Sequence, residues 1–114
     1  MSAANCSNYS ESSSCDAEGG RKDDAGKRRW TLLPIDALGL VVDVLGFGAA
    51  KYGADNWKRV PRARERYLDA ALRHLAARLD GELTDEESNL PHLAHAVTCL
   101  LFVLTLDDCE GRHA

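Results

Sequence analysis

The sequence predicts an all-α fold: a small bundle of three main helices, completed by further copies of the same chain. Three observations carry this. Apolar residues recur at helical spacing in three segments, no segment alternates at period two, and a proline stands at the head of each segment. Size bears on the further copies. The chain has 114 residues, but residues 1–29 are Ser-, Gly- and charge-rich with almost no large apolar group. That composition cannot offset ordering entropy, so 1–29 is expected to be a disordered tail. Residues 30–108 are left to build the domain, few for a free monomer, with 109–114 expected as a flexible C-terminus.

The first helix is expected from Pro34 to Tyr52, with Asp36 at the positive end of its dipole. Ile35, Leu38, Val42, Leu45 and Ala49 form its stripe, which Val41, Val44 and Phe47 widen. Gly39, Gly46 and Gly48 each weaken it by up to ~1 kcal/mol relative to Ala, as if another backbone or a ligand came close. A loop, Gly53 to Val60, follows. The second helix is expected from Pro61 to Asp80, with Gly81 as its C-cap. Tyr67, Leu68, Ala71, Leu72, Leu75 and Leu79 fill one face, and His74 falls at its margin. Arg66, Asp69 and Arg73 point to water. The connection 81–90 is acidic, and Thr84 with Glu87 has capping-box spacing, which predicts a short helical turn. The third helix is expected from Pro91 to Leu106. It is apolar nearly all round and so should be buried on every side; two helices can hardly cover it, which predicts a homo-oligomer, dimer or tetramer.

Charge and cysteines narrow the function classes. The net charge is -4, from 14 Lys and Arg against 18 Asp and Glu. Stable DNA binding is not expected, because phosphate binding wants clustered positive charge. Neither a signal peptide nor an uninterrupted apolar run of transmembrane length occurs, so a soluble cytoplasmic protein is expected. The four cysteines lack zinc-site spacing, and Cys99, inside an apolar run, reads as a buried free thiol.

Two clusters could carry chemistry. His92 and His95 stand at i and i+3 in the first turn of the third helix, where the dipole keeps imidazole neutral and able to ligate. Glu82, Asp85, Glu86 and Glu87 crowd just upstream, and an antiparallel return brings His74 within reach. Imidazoles and carboxylates converging at one end of a helix pair suit a divalent cation. Histidine in the first shell favours Mn, Co, Ni, Zn or Fe. Alternatively the carboxylates hold Mg²⁺ and the histidines bind phosphate or move protons. The second cluster, KYGADNWKR at 51–59, offers Lys51, Lys58 and Arg59 for phosphate, Tyr52 and Trp57 for stacking, and Asn56 for a base edge. The competing reading of that loop is structural, with Trp57 pinning it to the bundle.

Taken in order, LLPIDALGLVVDVLGFGAAKYGADNWKR, then ALRHLAARLDGELTDEESNLPHLAHA, then an apolar helix, resembles the dATP/dGTP diphosphohydrolase N-terminal family. That phage and bacterial family is allied to the all-α MazG-type nucleotide pyrophosphohydrolases. The resemblance spans about Trp30 to Leu106. It implies hydrolysis of a purine deoxynucleoside triphosphate to monophosphate and pyrophosphate, with Mg²⁺ first among the cations and Mn²⁺ or another transition ion second. With the two clusters read in that light, His74, Glu82, His92 and His95 are expected for catalysis, and Glu82, Asp85, Glu86, His92 and His95 for the metal. Lys51, Tyr52, Asn56, Trp57 and Arg73 would hold the nucleotide. MazG-type enzymes carry E-x-x-E and E-x-x-D on successive helices; here Ala-Leu-Arg-His ends at His74, and His92-Leu-Ala-His95 stands in the second place. Two other classes remain: a non-catalytic helical oligomer that binds a nucleotide or partner protein, and a helical phosphohydrolase acting on monophosphates. The latter usually needs a His-Asp dipeptide, which this chain lacks.

Overall fold

Three α-helices and two 3-10 turns make up the described residues, 19–111, of the computed structural model. The chain divides into two units, Met1–Trp30 and Thr31–Ala114. In the first, residues 1–18 lie outside the described region, and so does most of the expected 1–29 tail; a turn at 24–27 closes through Lys27 N–H donating to the Asp24 carbonyl at 3.1 Å. The second unit holds α1 (Ile35–Tyr52), α2 (Ala63–Leu79) and α3 (His92–Gly111). No strand occurs among the described residues, and the fold is all-α.

α1 follows Pro34, which occupies the N-cap in extended conformation, and ends at Gly53, whose φ of 93° only glycine adopts freely. Pro61 does not open α2 as expected. Arg62 takes a left-handed conformation at φ 57°, so the helix restarts at Ala63. At the other end Gly81, φ 97°, completes a Schellman motif. Its N–H donates to the Arg78 carbonyl at 3.0 Å and that of Glu82 to Ala77 at 3.1 Å. α3 outlasts its expected end at Leu106 because nothing breaks it before Gly111, and Asp107 on the added turn pairs with Arg64 of α2 at 2.7 Å.

The connection between α2 and α3 is pinned at its base. Thr84 and Pro91 form an isolated antiparallel bridge, flanked by Asp85 N–H to Leu90 O and His92 N–H to Leu83 O, both 2.9 Å. The expected turn is present, but Asp85 caps it instead of Thr84, whose place in the bridge takes it away. Asp85 Oδ2 accepts the Ser88 backbone N–H at 3.1 Å, and Asn89 closes the turn in left-handed conformation at φ 60°.

α3 packs along α2 and, over a shorter stretch, against α1; α1 and α2 scarcely meet, which leaves a cleft between them. The core is Val41, Val44, Ala71, Ala94, Ala96, Cys99 and Val103, with no large side chain fully enclosed. Three expectations change. On α1 the buried residues are Val41 and Val44, whereas Ile35, Val42, Leu45 and Ala49 are exposed. On α2 the packed face centres on Ala71, small enough for α3 to come close, and Leu68, Leu72 and Leu79 form a second, exposed stripe. On α3 Leu93, Val97, Leu100 and Leu104 lie on the surface, so within one chain this helix is not buried all round. Nothing approaches within 4 Å of a Cβ built at Gly39, Gly46 or Gly48, so the close approach expected at these glycines does not occur among the described residues. The segment His92–Cys109 is also long and apolar enough to cross a membrane by length and composition alone, with mean hydropathy 1.3; its scattered His and Thr do not lower the average below that test. Its His92 and Thr98, however, are among the most buried residues of the bundle.

Candidate functional site

The cleft between α1 and the α2–α3 hairpin has a volume of about 880 Å³ and two chemically different ends. One end is aromatic. α1 contributes Phe47 and Tyr52, the loop Asn56 and Trp57, and α3 Phe102. Trp57 stacks on Phe102 with centroids 4.3 Å apart and planes 10° from parallel, and Tyr67 meets the same ring edge-on at 5.0 Å. Trp57 therefore does pin its loop to the bundle, and it forms a wall of the cleft by doing so. Cys99 is a buried free thiol, as expected, and it lines the cleft beside Thr98. Burial raises its pKa, so it is an apolar lining rather than a nucleophile.

The other end is built from imidazoles. His74, half-buried on α2, meets the first turn of α3, because α3 returns antiparallel and sets that turn against it. His74 stacks on His95 at 4.6 Å and 13°, and its Nδ1 lies 2.9 Å from His92 Nδ1. His92, 6% exposed, reaches Glu82 Oε1 through Nε2 at 3.1 Å. A carboxylate only accepts, so His92 donates Nε2–H there and presents its Nδ1 lone pair, toward which His74 Nδ1–H donates. The Schellman turn at Gly81 is what delivers Glu82 to this point.

His95 belongs to a second polar chain. Its Nε2 lies 2.7 Å from Ser88 Oγ, and the Ser88 hydroxyl donates to Asp85 Oδ2 at 3.3 Å. Leu90 N–H donates to the same Oγ at 3.2 Å. With its proton committed to Asp85, Ser88 accepts from His95 Nε2–H, leaving His95 Nδ1 as an acceptor. Ser88 was missed in the sequence; the only signal for it is the Asp-x-x-Ser spacing of a capped turn.

The electrostatics follow from burial. Burial pushes the pKa of His74 down, helped by His95 and His92 beside it, and burial lowers His95 too. Burial also pushes Asp85 upward, but the Ser88 N–H, His95 and the Ser88 hydroxyl outweigh it and hold the carboxyl below 3.8. One donor atom each from His74, Asp85 and His92 lies within 4.8 Å of the other two. Glu86 stands apart: it is exposed and makes no hydrogen bond or ion pair among the described residues. Glu82 and His95 touch members of the triad without being part of it.

At the mouth, Lys51 on α1 pairs with Glu87 of the acidic connection and lies 5.2 Å from the Tyr52 ring centroid. That hydrogen bond with Glu87 raises the pKa of Lys51. Arg73, exposed, lines the cleft between the two ends. All five residues expected to hold a nucleotide thus border one cavity, together with His74, Asp85 and His95.

The profile of the dATP/dGTP diphosphohydrolase N-terminal family matches residues 17–113. The chain belongs to this family. A dATP/dGTP diphosphohydrolase of Salmonella phage PMBT28 is 37% identical over 87 residues, 76% of this chain and 29% of the relative. The chain therefore spans less than a third of the length of the curated relative it matches. No solved structure matches it. Family membership covers the cleft and both its ends, so the aromatic wall and the imidazole cluster lie inside the matched region.

Proposed function

We propose that this member of the dATP/dGTP diphosphohydrolase N-terminal family hydrolyses a purine deoxynucleoside triphosphate, dATP or dGTP, to the monophosphate and pyrophosphate. The observation that carries this is the single cleft joining an aromatic, amide-bearing wall to an imidazole–carboxylate cluster, with Arg73 and Lys51 beside it. The base lies against Tyr52 and Trp57, and Asn56 reads its edge. Arg73 neutralises the phosphates, and Lys51 joins it by leaving Glu87. Water attacks the α-phosphorus and the bond to the bridging oxygen of pyrophosphate breaks. His95 Nδ1 takes the water's proton, its ring held by the Ser88 hydrogen bond at Nε2.

The donors His74, Asp85 and His92, already within 4.8 Å of one another, fit a divalent cation. When bound, such a cation supplies charge neutralisation at the phosphates and polarises water. The reading extends to a cytoplasmic setting, where deoxynucleotides are found, to a protein built of more than one copy, and to one that binds neither DNA stably nor membrane.

Incubating the chain with each of the four dNTPs and Mg²⁺, Mn²⁺ or Co²⁺ tests the proposal, and pyrophosphate release from dATP or dGTP is the expected result. No turnover with any cation overturns it. One observation favours a second reading, a non-catalytic nucleotide-binding oligomer: none of the three helices carries an E-x-x-E or E-x-x-D pair, and Glu86 lies outside the donor group. Nucleotide binding without turnover, unchanged in His92→Ala, supports that reading instead.

A further inference from the structure

We propose that His74, Asp85 and His92 form a two-nitrogen, one-oxygen site for a first-row transition ion of the Zn²⁺ or Co²⁺ class, in preference to Mg²⁺. The proposal rests on the reading of this cleft as metal-dependent, and it names the metal.

The donor set decides the class. Mg²⁺ takes oxygen ligands and holds its water tightly, so a site whose inner face is two imidazoles suits it poorly. Imidazole with a carboxylate suits zinc and its neighbours, and three protein ligands leave a position open for water or a phosphate oxygen. The neighbouring carboxylates do not complete an oxygen cage. Glu82 bonds the far side of His92, Glu87 pairs with Lys51, and Glu86 is exposed and outside the donor group.

The geometry is that of ligands waiting side by side. Two nitrogens bound to one ion at ~2.0–2.1 Å lie roughly 3 Å apart, and His74 Nδ1 and His92 Nδ1 are separated by 2.9 Å. Glu82 behind His92 is the carboxylate–histidine arrangement that fixes the tautomer of a ligating ring and leaves its Nδ1 lone pair facing inward. Asp85 is steadied by Ser88 through Oδ2, which keeps Oδ1 for the ion. The His74–His92 hydrogen bond gives way when the ion enters, because both rings then contribute a lone pair to it.

Metal binding to the reduced 114-residue chain, without nucleotide, tests the site. In calorimetric titration, Zn²⁺ or Co²⁺ is expected to bind with one ion per chain, at least about 100-fold more tightly than Mg²⁺. The Co²⁺ complex should show visible ligand-field bands without the near-ultraviolet charge transfer of a cobalt–thiolate bond. His74→Ala, and separately Asp85→Asn on the connecting loop, should each weaken Co²⁺ by about 10-fold or more. Asp85→Asn serves as the readout if His74→Ala does not fold. Equal affinity for Mg²⁺, a thiolate band, or Co²⁺ binding that neither substitution weakens overturns the site. Failure here with hydrolysis intact leaves the proposed function standing; a tight Co²⁺ site without hydrolysis does the reverse.

Discussion

Ser88 connects the two halves of the imidazole cluster, since its hydroxyl touches both Asp85 and His95. Replacing it with Ala frees the His95 ring and removes the second donor to Asp85. Turnover should fall about 10- to 100-fold, the usual cost of losing an outer hydrogen bond to a site residue, and Ser88→Thr should restore much of it; steady-state kinetics on dATP checks both. The two histidines also set a pH dependence. His74 and His95 are held below their ordinary value of 6.5 by burial. As pH falls from 6.5, the unfolded chain takes up these protons before the folded chain does. The stability they contribute is therefore present above 6.5 and lost as pH drops toward the depressed values. Thermal melts in chelator should show a lower Tm near pH 5.5 than near pH 7.5, and His95→Gln should reduce the difference. The convergence of His74, His92 and His95 was legible because i, i+3 spacing and an antiparallel return are local facts of sequence. Ser88 and the Lys51–Glu87 pair were not, since they depend on the path of a ten-residue connection that no periodicity encodes.

At the scale of elements, the Schellman turn at Gly81 is the joint that aims Glu82 at His92. An L-residue at φ 97° is strained even though the surrounding space is open. Gly81→Ala should destabilise the fold by more than about 1 kcal/mol, read as a lower denaturation midpoint, and should weaken metal binding as Glu82 shifts. The three helices themselves were readable from 3.6-residue periodicity and flanking proline or glycine, with end errors at Arg62 and beyond Leu106. Which stripe of each helix is spent inside the chain was not readable. Hydrophobicity marks Leu68, Leu72 and Leu79 as a packing surface, but Ala71 wins the contact with α3 because its small side chain lets the two helices approach closely.

For the molecule as a whole, those unspent stripes matter. On α2 and α3 each stripe lies about a quarter turn past the mutual contact, which for antiparallel helices puts both on the same side of the hairpin. A joined surface of seven Leu and Val side chains, 42–86% exposed, is what a second copy would cover. Light scattering should give a mass that is a multiple of 12.4 kDa, and Leu100→Glu should return it to 12.4 kDa. A wild-type monomer contradicts this. In the proposed reaction the cleft brings nucleotide and water together at the α-phosphorus. Hydrolysis of dATP and dGTP in ¹⁸O-labelled water, with the products separated and weighed by mass spectrometry, tests this reaction. Monophosphate carrying one ¹⁸O and unlabelled pyrophosphate are the expected products. Label in pyrophosphate, release of inorganic phosphate, or no turnover with any divalent ion would contradict it.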